Sequence, residues 1–101
     1  MSDEKIIIEV DEFLADLIPG FMENRKADIE KLTVAISAAD YETIRHIAHN
    51  LKGLGAGYGF QRITDIGVML SDAAKRKDVR SLRQLAEQYE AYLTGVEIKF
   101  V

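Results

Sequence analysis

Four apolar stripes, each at helical spacing and separated by almost no chain, constrain this sequence more than any other feature. They are Phe21, Ile29, Leu32 and Ile36; Ile44, Ile47, Leu51 and Leu54; Phe60, Ile63, Ile66, Leu70 and Ala73; and Leu82, Leu85, Tyr89 and Leu93. Such spacing lines one face of a helix with 3.6 residues per turn. Two of the links, at 39–40 and 77–78, leave no room for a loop. Asp40 and Asp78 each stand where an N-cap is needed. Lys75, Arg76 and Lys77 close the third stripe, where cations suit the helix dipole. Short connections make neighbouring helices antiparallel. The expected fold class is therefore all-α, an antiparallel up-down four-helix bundle, with residues 1–101 as one domain. A chain of 101 residues can bury one modest core.

The ends read differently. Residues 5–10, KIIIEV, are short and β-branched, as in a strand or an extended arm. Asp11 is placed to cap a short extra helix through about Ile18, which Pro19-Gly20 interrupts, so that a new or kinked helix starts there. The tail, VEIKFV, alternates apolar and polar residues. An even number of helices brings both chain ends to one end of the bundle. The two arms are therefore expected to pair as a small two-stranded ribbon, which is marginal unless it packs on something.

Composition excludes several classes. A net charge of −4 argues against a nucleic-acid partner. The absence of cysteine excludes disulfides, thiolate metal sites and cysteine nucleophiles, and suits a reducing compartment. No apolar run approaches the ~20 residues of a membrane span. Met1 is followed by SDEK, without the apolar stretch of a signal peptide. The expectation is a soluble, cytoplasmic protein without a membrane partner. An initial Met1 fits a free-standing module better than a fragment. No phosphate-binding loop pattern is present, and the chain is too short to hold both the bundle and an ATP-binding domain.

The stretch His46–Phe60, HIAHNLKGLGAGYGF, carries the candidate chemistry. At about 100° per residue, the stripe Ile44, Ile47, Leu51 and Leu54 lies opposite His49. Glu42, Arg45, Lys52, Gly53 and Ala56 share the side of His49, with His46 on its flank. His49 should thus face solvent, with a cation one turn later and a bare glycine beside it. Glycine costs a helix interior roughly 1 kcal/mol relative to alanine, and Gly53 has no packing reason on this face. It lets a macromolecule approach the imidazole closely. Gly55 is nearer the core and suits close helix packing, while Gly57 and Gly59 suit the end of the helix and its turn.

These residues resemble the histidine phosphotransfer (HPt) family, whose pattern is close to A-H-x-L-K-G-x-x-x-x-x-G. Here it stands as Ala48, His49, Leu51, Lys52, Gly53 and Gly59. Asp40 after an alanine-rich segment and Lys77-Asp78 also match, and the likeness spans Phe21 to Leu93. Ala56 stands where members often carry glycine. Ser71 stands where some carry a glutamine that hydrogen-bonds the histidine, and the terminal arms lie outside the family pattern.

The resemblance implies that His49 is the phosphoacceptor and Lys52 stabilises phosphate charge. It implies that Gly53 and Ala56 let a receiver domain dock flat, with Glu42, Arg45, Gly67 and Ser71 as further partner contacts. Partners would be response-regulator receiver domains, a hybrid sensor kinase, or both. The chain would need no cofactor or metal of its own, with Mg²⁺ held by the partner receiver. The function implied is that of a phosphorelay intermediate, taking a phosphoryl group from a receiver aspartate and passing it to another receiver. The alternative is a non-phosphorylated adaptor using the same face. A metal or haem site on His46 and His49 is disfavoured, because bundle metal sites project inward from several helices.

Overall fold

A computed structural model describes residues 6–101, with the side chain of Ala56 excepted. Lys5, at the start of the expected first strand, and the Ala56 side chain therefore lie outside the described residues. The elements run β1 (Ile6–Val10), a 3-10 segment (Glu12–Leu17), α1 (Ile18–Ser37), α2 (Tyr41–Gly57), α3 (Gln61–Lys75), α4 (Val79–Gly95) and β2 (Val96–Phe100). The helices pack in a ring, α1 on α2 and α4, α3 on α2 and α4, with the α2–α3 contact the most extensive. This is the expected four-helix bundle.

All three interhelical turns use one backbone device. The chain enters the left-handed region for a single residue, at Ala39 (φ 54°), Gly59 (φ 85°) and Lys77 (φ 56°). The next N–H then reaches back to a carbonyl in the last helical turn: Asp40 to Ala35 at 2.8 Å, Phe60 to Gly55 at 2.8 Å and Asp78 to Ala73 at 2.9 Å. That bond satisfies a carbonyl which the ending helix leaves open. The same residue then starts the next helix. Asp40 accepts from the Thr43 N–H at 3.1 Å and hydroxyl at 2.6 Å, and Asp78 does the same with Ser81 at 3.1 and 2.7 Å. Stop and start share three residues, which is why the links are so short.

The expected stripes form the core. Leu32, Ile44, Leu51, Phe60, Ile63, Ile66, Leu70, Leu82 and Tyr89 are essentially fully buried. Leu54 and Ile29 are only partly buried and pack at the edge. A polar group is embedded as well. Arg25 Nε donates to Asp28 Oδ2 at 2.8 Å, and the Tyr89 hydroxyl donates to the same oxygen at 3.3 Å, which ties α1 to α4. The Arg25 guanidinium also lies 4.9 Å from the centre of the Phe21 ring. Burial, followed by the neighbouring Asp28 charge, pushes the Tyr89 phenol well above its ordinary value.

One local expectation is refined: the extra N-terminal helix is a 3-10 segment, begun by Asp11 accepting from the Phe13 N–H at 2.9 Å. A new helix does start at Pro19-Gly20, for α1 begins at Ile18 with Pro19 in its first turn, where its missing N–H costs nothing. α2 runs through Gly53 and Gly55 and ends at Gly57, with Gly59 making the turn, as expected.

The two arms do pair, and they pair parallel, from Ile6 opposite Val96 to Val10 opposite Phe100. β2 follows α4 without a linker. The 3-10 segment supplies the reversal that sets β1 parallel to β2, although the helices they join run antiparallel. Val10 is buried, and Ile6, Ile8, Val96 and Ile98 pack against the core. That packing supports a ribbon too small to stand alone.

Candidate functional site

α2 presents two faces, as the periodicity requires. Ile44, Ile47, Ala48 and Leu51 are buried against the other helices, while Glu42, Arg45, His46, His49 and Gly53 are exposed and Lys52 is half-buried. An added Cβ at Gly53 would meet nothing within 4 Å. Gly53 therefore leaves an open place beside His49 that packing does not demand.

What holds α2 in position is α3. At Gly55 a Cβ would fall 2.5 Å from Thr64 Oγ1 and 2.6 Å from the Phe60 carbonyl oxygen. The Thr64 hydroxyl donates to the Lys52 carbonyl at 3.2 Å. At Gly67 a Cβ would fall 2.8 Å from the Ala48 carbonyl oxygen and 2.9 Å from the Lys52 nitrogen. Gly67 thus needs correction as a docking residue. It is buried, and its missing side chain lets α3 lie directly against the backbone that carries His49 and Lys52. It is a positioning residue.

The two helices form an open groove. From α2 it is lined by Glu42, Thr43, Arg45, His46, His49 and Lys52, and from α3 by Ser71 and Lys75. Of the residues singled out from sequence, His49, Lys52, Glu42, Arg45 and Ser71 are brought together here. Gly53 is exposed next to them, and Gly67 lies beneath. Thr43 and Lys75 were missed, and His46 lines the groove as well. Lys75 was read from sequence only as a helix-ending cation. The signal that places it in the groove is its spacing four residues after Ser71, which puts both on one face of α3.

The groove carries three permanent cations, Arg45, Lys52 and Lys75, against one carboxylate, Glu42. This stands out on a chain whose net charge is −4. An exposed imidazole ringed by cations and hydroxyls suits a transferable anion. It does so without enclosing that anion, so a second macromolecule can reach it.

The fold and this groove describe a small helical bundle that offers one histidine face to a docking partner. The family model of the Hpt domain matches residues 16–97, most of the chain, and the protein belongs to the histidine phosphotransfer family. Members of that family take part in histidine phosphotransfer in phosphorelay signalling and interact with receiver domains. Neither the curated proteins nor the solved structures compared with the chain gave a significant match. Among the described residues, no helix is long and apolar enough to cross a membrane.

Proposed function

We propose that this protein is a phosphorelay intermediate in which His49 accepts the phosphoryl group. The observation that carries this reading is the groove itself, which gathers Arg45, Lys52 and Lys75 around an exposed imidazole beside the bare Gly53. The neutral form of an imidazole offers a lone pair on one ring nitrogen. Nε2 attacks the phosphorus of an aspartyl phosphate on the receiver. The P–N bond forms, the bond from phosphorus to the carboxylate oxygen breaks, and the aspartate leaves as carboxylate. Nδ1 keeps its proton throughout. The reverse sequence passes the group to another receiver.

Phosphoryl transfer is mostly positioning and neutralisation of charge. Lys52 and Lys75, from opposite walls of the groove, balance the phosphoryl oxygens. Ser71 is the nearest counterpart of a polar partner for the ring. Gly53 opens the approach, Glu42 and Arg45 contribute to partner choice, and the exposed Val68 on α3 extends the docking surface. Mg²⁺ and its acidic cluster belong to the receiver, and the partners are receiver domains or a hybrid sensor kinase of the cytoplasm.

The test is transfer from a panel of phosphorylated receiver domains to wild type and to His49→Gln. Acid-labile, base-stable label on wild type alone supports the reading. Label retained in His49→Gln moves the acceptor to His46 and overturns the assignment. Binding without label on wild type replaces it with the adaptor reading.

A further inference from the structure

α3 holds the backbone of Lys52 from two sides. On the amide side, the bare Cα of Gly67 lets α3 come so close that a Cβ there would stand 2.9 Å from the Lys52 nitrogen. On the carbonyl side, the Thr64 hydroxyl donates to the Lys52 oxygen at 3.2 Å. A carbonyl has two lone pairs, so one inside a helix can take this second donor. The hydroxyl reaches it only because Gly55 is bare, since a Cβ at Gly55 would stand 2.5 Å from Thr64 Oγ1 and 2.6 Å from the Thr64 nitrogen. Thr64, Gly67, Ser71 and Lys75 follow at steps of three, four and four along α3, so they share the face turned to α2. One end of that stripe grips Lys52, and the other lines the groove.

We propose that Thr64 is a positioning residue for phosphotransfer, acting through Lys52. The inference rests on the reading of Lys52 as a cation that balances the phosphoryl oxygens. Lys52 opens the weakest stretch of α2 by helix propensity, which carries Gly53, Gly55 and Gly57. Such a stretch has little hold of its own and depends on packing against a neighbour. The Thr64 hydroxyl supplies that hold at the peptide group from which the Lys52 side chain departs. Of the three groove cations, Lys52 is half-buried, whereas Arg45 and Lys75 are exposed. A side chain that starts from a fixed backbone and is already confined loses less freedom when it meets the phosphoryl group. The two nearby glycines of α2 thus serve different ends. Gly53, with nothing within 4 Å of an added Cβ, admits the partner, and Gly55 admits Thr64.

The test is single-turnover transfer from phosphorylated receiver domains, measured over a range of receiver concentrations. Thr64→Val keeps the size of the side chain and removes the hydroxyl. Its maximal rate should fall about threefold to tenfold below wild type, the factor that a neutral hydrogen bond is worth. The half-saturating receiver concentration should not change, because docking does not use this contact. Thr64→Ala, which adds no methyl near Gly55, should match Thr64→Val, and Thr64→Ser should restore the rate. Thermal midpoints establish that the variants fold. The loss should vanish in a Lys52→Ala background, where there is no ammonium to place. It should multiply with that of Lys75→Ala, about 16 Å further along α3. Wild type that takes no label defeats the phosphorelay reading and this inference with it. Label on wild type with an undiminished maximal rate in both hydroxyl-free variants defeats this inference alone. So does a loss that persists in full without Lys52, or one that Thr64→Ser does not restore, because Thr64 would then serve only the packing of α2 on α3.

Discussion

The same substitution, glycine to alanine, should have opposite effects at Gly53 on α2 and Gly67 on α3. Inside a helix, alanine is favoured over glycine by about 1 kcal/mol. At Gly53 nothing opposes that gain, because the added methyl meets no atom within 4 Å. At Gly67 the methyl would stand 2.8 Å from the Ala48 carbonyl oxygen, 2.9 Å from the Lys52 nitrogen and 3.0 Å from Leu51 Cβ. Carbon atoms pack comfortably at about 3.5–4 Å, and two of these three neighbours are backbone atoms that cannot rotate aside. α2 and α3 must part by several tenths of an ångström, and such overpacking costs about 1–3 kcal/mol. Gly53→Ala is thus expected to be more stable than wild type by up to about 1 kcal/mol. Gly67→Ala should fall below wild type by as much as about 2 kcal/mol, the overpacking cost less the helix gain. For a chain of this size each kcal/mol moves the thermal midpoint by about 4–8 °C, so calorimetry and urea unfolding resolve the difference. Activity should run the other way at Gly53, where the methyl stands in the docking path and slows transfer from a receiver. A Gly67→Ala protein as stable as Gly53→Ala would refute the packing account. Unchanged transfer by Gly53→Ala would refute the docking one.

Lys52→Ala and Lys75→Ala should each slow phosphotransfer on the order of tenfold, equivalent to about 1.4 kcal/mol of transition-state stabilisation. Lys31→Ala on α1 should leave single-turnover transfer kinetics unchanged. Ala39→Gly and Lys77→Gly should each raise stability in urea by about 0.5–1 kcal/mol, because both residues now hold the left-handed conformation that glycine adopts freely. The Asp40 carboxyl is held below its ordinary value by the Thr43 hydroxyl and then by the Thr43 N–H. Asp78 is held down in the same way by Ser81. Depressed carboxyl values favour the folded state above the unfolded value near 4 and lose that contribution as pH falls through the lower folded value. The urea midpoint should therefore drop from neutral pH to about pH 3, and the drop should be smaller in Asp40→Asn/Asp78→Asn.

The bundle was legible because its evidence is periodic. Stripes such as Ile63, Ile66, Leu70 and Ala73 report one buried face whatever the partner helix. Asp40 and Asp78 mark helix starts by local hydrogen bonding alone. The α2 half of the groove was legible for the same reason, since residues of one helix share a face by arithmetic. The α3 half was not, because it depends on how two helices are rotated about their own axes. Lys75 looked like a helix end, and Gly67 looked like part of a smooth surface. Its burial follows only from the crossing of α3 over Ala48 and Lys52. The Arg25–Asp28–Tyr89 cluster joins residues 61 positions apart, and no local pattern announces it. The parallel sense of the ribbon escaped for a related reason, since it is set by the reversal through the 3-10 segment.

That ribbon also sets an order of events along the folding pathway. Each helix forms from near neighbours, and each three-residue turn joins helices adjacent in the chain. β1 and β2 pair Ile6 with Val96, so they meet only after almost the whole chain has been gathered. The entropy of closing so long a loop must be met before the pairing returns anything. The sheet consequently closes last, on a bundle already assembled, and its amides should exchange with solvent by an opening that leaves the four helices standing.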